Sequence, residues 1–544
     1  MTDKTMAALP AYFCCAIHDL RCASMPDLFR APYRSRFAPR LYSTASDKEG
    51  FFISLINISN LTFAFDGSYD NIFEDVSFHL DTDWKTGFVG RNGRGKTTFL
   101  KLLAGEYKYS GHITAAVDFK YFPFPIVNKS AQTLDVAQAC APEADDWEIC
   151  REMNLLGLNA ELLYRPFITL SGGEQTKVML ASLFLAQDSF LLIDEPTNHL
   201  DMQGREKLGK YLNSKKGFIL VSHDRAFLDS CTDHTISLNK QNIELHRGNF
   251  SSWYENKQRQ DNLEKHKNEK LKKEIRRLNE SAAQASRWSD KTEKSKFGKG
   301  SSGLKPDRGF VGKKAAKLMK RSTNLSKRRA AAAEEKASLL KNTETTGDLK
   351  ITQEQYKSGL LLALENVNIF YSGKTAAGGV NLKITEGSRI ALCGANGSGK
   401  SSVLKLICGE NLSYTGRMIK GGDLKISYLP QDIPDINCTL RELAQSNNID
   451  ESLLKSILTN LGFTRGQLGK NIRDFSMGQK KKTLIAKCLC ERSNLLVWDE
   501  PLNYIDIFSR MQIEELILKF KPAMIYTEHD ASFCQNTATE IIRL

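Results

Sequence analysis

Two stretches decide how this chain reads: GRNGRGKT at Gly90–Thr97 and GANGSGKS at Gly394–Ser401. Both fit the pattern G-x-x-x-x-G-K-[S/T]. Each follows an apolar, strand-like run (TGFVG, RIALCG) and opens a helix-like run (TFLKLL, SVLKLI). A strand that turns through glycines into a helix aims backbone N–H groups and a helix N-terminus at one point, which is a cradle for phosphate oxygens. Lys96 and Lys400 are placed to reach the β- and γ-phosphates, and Thr97 and Ser401 to set a hydroxyl on Mg2+. The cradle walls are Gly90, Arg91, Asn92, Gly93, Arg94, Gly95 and Thr98 in one copy. In the other they are Gly394, Ala395, Asn396, Gly397, Ser398, Gly399 and Ser402.

The companions of each loop repeat in the same order. LSGGEQ (Leu170–Gln175) matches FSMGQK (Phe475–Lys480), FLLIDEP (Phe190–Pro196) matches LLVWDEP (Leu495–Pro501), and SHD (Ser222–Asp224) matches EHD (Glu528–Asp530). The step between copies is 304 at the lysines, 305 at the serines and aspartates, and 306 at the histidines. One register held across four landmarks means a duplicated domain of about 190 residues. Asp194 and Asp499 close apolar strands, where a carboxylate can hold Mg2+; the alternative is a cap or ion-pair member. Glu195 and Glu500 follow at once and can polarise an attacking water. His223 and His529, after the strands FILVS and AMIYT, can contact the γ-phosphate. Phe65 and Tyr371 lie 25 and 23 residues before the first loop glycines and can stack on adenine, or else pack as core aromatics.

Each half alternates apolar strands and helices, so an α/β fold with a mainly parallel core is expected. The chain has 544 residues, 41% of them hydrophobic and 26% charged, which excludes wholesale disorder. No run of about 18 apolar residues occurs, and a membrane span is not expected. The net charge of +13 is localised: Glu255–Leu340 holds 25 lysines and arginines against 11 carboxylates. Leu263, Leu271, Ile275 and Leu278 give that segment a helical stripe, and SKFGKGSSGLKPDRGFVG (Ser295–Gly312) interrupts it. The reading is a helix, a tip loop and a returning helix, basic enough to suit RNA phosphate. The domain expectation is a poorly ordered extension over 1–50, a nucleotide domain over 51–254, a linker over 255–345 and a second nucleotide domain over 346–544. The extension has Arg30, Arg34, Arg36 and Arg40 before an RLYSTAS stretch, and reads as dispensable or as a transit peptide. The twelve cysteines lack any CxxC spacing and read as reduced thiols packed as small hydrophobes.

LSGGEQ between a phosphate loop and an LLIDEP strand resembles the signature of ATP-binding cassette ATPases. Two cassettes in one chain with a basic helical linker resemble the ABC-F subfamily. Within it, GRNGRGKTT, SHDRAFLD, FSMGQKKK and WDEPLNYID look most like the Lsa-type antibiotic-resistance ribosomal protection proteins. The resemblance implies two tandem P-loop NTPase cassettes joined by a long basic α-helical hairpin, closed head-to-tail on two ATPs with Mg2+. It implies that Ser476, Gly478 and Gln479 face Lys96, Thr97, Asp194 and Glu195, while Ser171, Gly172, Gly173 and Glu174 serve the second loop. Gln431 of SYLPQ would join the metal, whereas Phe124 of KYFPFP stands where such a Gln is common. Met477 also departs from the glycine of the pattern, so unequal sites are expected. The implied partner is the bacterial 70S ribosome, reached at the 50S exit-site region through rRNA and tRNA by a cytoplasmic monomer. The implied role is protection from lincosamide, pleuromutilin and streptogramin A drugs. The alternatives are a housekeeping translation factor of the same subfamily, the ATPase subunit of a drug exporter, and a DNA-associated cassette ATPase.

Overall fold

In the computed structural model, residues 55–294 and 359–544 are described, apart from 68–70, 187, 239–241 and 372, together with isolated positions between 313 and 356. The expectations for 1–50, for the linker tip and for most of the returning helix lie outside the described residues. The protein builds the same architecture twice. In the first half a six-stranded sheet runs in the order Asp118–Phe122, Ser189–Asp194, Phe218–Val221, Lys85–Gly90, His234–Leu238, Ile243–Arg247. All its pairs are parallel except the last. In the second half five parallel strands run in the order Ile426–Leu429, Leu495–Asp499, Met524–Thr527, Arg389–Cys393, Glu540–Arg543. Each half adds a three-stranded antiparallel sheet, centred on Leu55–Phe63 and Leu360–Tyr371.

The central strands are apolar throughout because both faces are covered, as parallel sheets require. Phe218–Val221 and Leu495–Asp499 are buried at every position. Their C-terminal ends lie along one edge, and that edge is where open α/β sheets bind ligands. The two phosphate-loop strands sit centrally, each followed by its helix, Lys96–Leu103 or Lys400–Cys408.

From the first cassette a single helix, Phe250–Lys294, runs for 45 residues. Its start is anchored: Phe250 and Trp253 are buried in the first core, and Trp253 meets Phe508 edge-on at 6.1 Å between ring centres. Beyond that anchor Lys265, Lys267, Lys270, Lys272, Lys273, Arg276 and Arg277 are exposed. The cysteines follow the sequence reading, with Cys488 and Cys490 buried on the helix Met477–Cys490 and none of the described thiols in a disulfide. No described helix is long and apolar enough to cross a membrane.

Candidate functional site

Each phosphate loop turns through left-handed glycines. Gly95 and Gly399 have φ of 99° and 87° and sit directly before the helix. A Cβ there would lie 2.6 Å from Ile72 and 2.3 Å from the Ala376 carbonyl, so both conformation and space demand glycine. The lysines are drawn back over their own loops. Lys96 Nζ donates to the Gly90 carbonyl at 2.8 Å and Lys400 Nζ to the Ala395 carbonyl at 2.8 Å. Both ammonium groups are buried, and burial lowers the pKa of each. An anion in the cradle would give these cations a partner better than a carbonyl.

The strand-end carboxylates stand behind the loops. Thr97 Oγ1 donates to Asp194 Oδ2 at 2.6 Å, and the Tyr121 hydroxyl reaches the same oxygen at 3.0 Å. In the second copy Thr527 Oγ1 donates to Asp499 Oδ1 at 2.6 Å, while the buried Oδ2 has no hydrogen-bond partner. Burial raises the Asp499 pKa, with the Ser401 hydroxyl and Lys481 acting against it. No cluster of three or more His, Cys, Asp or Glu suited to a metal occurs among the described residues. A cation here would therefore complete its shell with hydroxyl, phosphate and water oxygens, which is the habit of Mg2+.

Glu195 and Glu500 both adopt left-handed backbone, with φ of 49° and 45°. Non-glycine residues are rarely held there, and sites of chemistry are where such strain collects. Their surroundings differ. Glu195 Oε1 lies 3.2 Å from His223 Nε2 but takes no hydrogen bond. Burial, reinforced by the Asp194 charge, pushes its pKa up to about 8. Burial also pushes Glu500 up, but hydrogen bonds from His529, Asn503 and Gln431 outweigh it and hold the carboxyl below its usual range. His529 Nε2 stands 3.5 Å from Glu500 Oε1, and Asn503 Nδ2 donates to Oε2. His223 has its pKa driven well down, first by burial and then by the Lys96 charge, so it is a neutral imidazole at pH 7.

The cassettes touch at the first site. Asn92 Nδ2 donates to the Tyr504 carbonyl at 2.8 Å. A Cβ on Gly478 would meet that carbonyl at 2.5 Å and Asn92 Nδ2 at 3.1 Å, so the second signature sits directly over the first phosphate loop. Arg225 pairs with Glu514 across the same seam, and Ile507 enters the first core. The two signatures are capped differently. Glu174 Oε2 takes both the backbone N–H and the hydroxyl of Ser171, whereas Gln479 Oε1 takes only the N–H of Ser476. Gly172 and Gly173 back onto His199 of their own cassette. Phe65 and Tyr371 are each about two-fifths exposed, at 44% and 43%. Phe65 is braced edge-on by Phe63 and Tyr107, which leaves the rest of its ring surface open to a base.

Several groups in the site carry no motif. Lys481, Lys482 and Arg510 are buried cations behind the second signature. Lys482 Nζ pairs with Asp506 at 2.6 Å, and Arg510 donates to the Ile505 carbonyl at 2.9 Å. The one signal for the two lysines was the KKK run in FSMGQKKK, of which the helix buries two of the three.

The family model described as ABC transporter matches residues 73–198 and 377–503, one match per half. The chain is thus a tandem ATP-binding cassette protein: it binds ATP, and it is an ATPase. Over most of its length it is similar to curated ATP-binding proteins. It is 28% identical over 523 residues to the ATP-binding protein Uup of Buchnera aphidicola, covering 89% of this chain and 80% of that protein. It is 27% identical over 493 residues to the ribosome protection protein VmlR of Bacillus subtilis, covering 89% and 85%. Among solved structures, an archaeal ribosome recycling factor, aABCE1, crystallised with the ribosomal stalk protein aP1, superposes with a TM-score of 0.58 at 17% identity. That superposition covers 89% of this chain and 87% of the other, and establishes the fold.

Proposed function

We propose that this ATPase acts on the bacterial 70S ribosome, entering the 50S exit-site region and protecting it from lincosamide, pleuromutilin and streptogramin A drugs. The observation that carries the reading is the 45-residue helix rising from the first cassette. It bears Lys265, Lys267, Lys270, Lys272, Lys273, Arg276 and Arg277 within 13 residues. Cationic side chains projected away from a globular body suit a phosphate backbone. The relative VmlR, a ribosome protection protein by name, supports the same reading.

In this mechanism the Gly90–Thr98 and Gly394–Ser402 loops hold the phosphates, with Phe65 and Tyr371 against the bases. Thr97 and Asp194, and in the second site Ser401, Asp499 and Gln431, would hold Mg2+, which neutralises phosphate charge when bound. Ser476, Gly478 and Gln479 complete the first cage, and Ser171, Gly172, Gly173 and Glu174 the second. Glu195 and Glu500 orient the attacking water, and His223 and His529 steady the terminal phosphate. Closure on ATP fits the protein to the ribosome, and hydrolysis releases it.

The test is co-sedimentation with 70S ribosomes. Glu195→Gln with Glu500→Gln is expected to pellet with ribosomes in ATP but not in ADP, and to come off as salt rises. Equal pelleting with and without ATP would refute the cycle. Drug susceptibility of an expressing host separates protection from a housekeeping role: an unchanged lincosamide and pleuromutilin response leaves the housekeeping reading.

A further inference from the structure

The second cassette differs from the first at two buried positions beside Glu500. Where the first has Thr176 in its signature helix, the second has Lys481. Where the first has Ser222 before its histidine, the second has Glu528. Both replacements are charged, both are nearly or wholly inaccessible, and their signs are opposite. Chance surface drift does not put a lysine and a glutamate at matched interior positions of one site, because a lone buried charge is costly.

The contacts show what each does. Lys481 Nζ donates to the carbonyls of Pro430 at 2.9 Å, Gln431 at 3.2 Å and Asp499 at 3.3 Å. Those carbonyls belong to the loop carrying Gln431 and to the residue directly before Glu500. Glu528 accepts from the Leu502 N–H at 2.7 Å and from the His529 N–H at 3.0 Å. These belong to the segment directly after Glu500 and to the histidine opposite it. The Asp499 carbonyl before Glu500, the Leu502 N–H after it, and the backbones of its polar neighbours His529 and Gln431 thus hang from two charged side chains. In the first cassette the neutral Ser222 shares a hydroxyl contact with Thr197 at 3.3 Å and accepts from the Asp224 N–H at 3.2 Å.

We infer that Lys481 and Glu528 form a buried positioning frame that fixes the backbone around Glu500 and makes the second site pre-organised for hydrolysis in a way the first is not. They act through Glu500, His529 and Gln431 and touch no reacting atom. The inference rests on Glu500 orienting the attacking water. A misplacement of about 1 Å at such a group can cost on the order of 100-fold in rate.

The experiment isolates the second site in a Glu195→Gln background and installs the first cassette's own pair, Lys481→Thr with Glu528→Ser. This double change keeps the charge balance and uses residues the fold already accepts at the matched positions. The expected result is a cooperative melt within a few degrees of the parent, an unchanged KM for ATP, and a kcat lowered about tenfold or more. Parental kcat in the folded double variant overturns the inference, as does a loss confined to KM. Either single change is expected to be less stable than the double, since it strands one charge. Glu500→Gln in the same background is the separate control: if it leaves turnover untouched, the role given to Glu500 fails, whatever the frame does.

Discussion

The buried pair Lys482–Asp506 offers a quantitative check on how the second cassette is held. The atoms are 2.6 Å apart, with side-chain exposures of 8% and 0%. Asp506 also accepts from the Ser509 N–H and hydroxyl, both at 3.0 Å, and Lys482 donates to the Leu461 carbonyl at 2.9 Å. Lys482→Met keeps the stem but leaves Asp506 without its hydrogen-bonded cation. Breaking one side of such a pair costs about 3–5 kcal/mol. For a domain of this size about 1 kcal/mol moves Tm by about 2–4 °C, so the second-cassette transition is expected to fall by about 6–20 °C in calorimetry. The matched lysine of the first cassette, Lys177, is only half-buried, and Lys177→Met is expected to cost under about 1 kcal/mol. Burial pushes Asp506 up, but the Lys482 charge and hydrogen bond outweigh it and hold the carboxyl far below its usual range. A carboxylate depressed on folding stabilises above its unfolded pKa of about 3.9 and loses that contribution as pH falls. The gap between wild type and Lys482→Met should therefore be full above about pH 4 and close below it. A Tm loss under about 2 °C at neutral pH, or a gap that widens in acid, would show that the pair does not carry the cassette.

Further expectations concern the chemistry. In a Glu500→Gln variant turnover rests on Glu195, whose pKa is pushed up to about 8, so kcat/KM should climb as pH rises from 7 to 9. In Glu195→Gln it rests on Glu500, held below its usual range, and kcat/KM should be flat over the same window. Gly478→Ala puts a methyl 2.5 Å from the Tyr504 carbonyl and should block closure of the first site, seen as lost ATPase activity in the Glu500→Gln background with ATP binding kept. Asn92→Ala, which removes the 2.8 Å bond to Tyr504 and the 3.3 Å bond from Lys96 Nζ, should weaken the same step by a smaller factor, about 1 kcal/mol in the nucleotide dependence of closure.

Much of this was legible in the residues because the chemistry is local. Gly95, Lys96 and Thr97 lie on a few adjacent peptide units, so spacing alone places them, and the apolar run into Asp194 announces a buried strand that ends in a carboxylate. The duplication did the rest, since four landmarks in one register leave little freedom in where each domain lies. The long basic segment was readable as a helix by period, and its described part, Phe250–Lys294, is one.

What the sequence by itself determined is therefore the two cassettes, their loops and their strand-end acids. The tertiary structure alone decided that Glu195 and Glu500, each in the same DEP tripeptide, meet opposite electrostatic surroundings. A pKa depends on what is packed within several ångströms, and beside the local Asn503 and Asp194 those groups come from distant parts of the chain: His529 and Gln431 around one, Lys96 and the second cassette's Arg510 around the other. It alone showed that Lys481 and Lys482 are interior cations rather than part of a surface charge run. Sequence patterns encode period and spacing along the chain, whereas burial and pairing are properties of the folded surface against which each side chain closes.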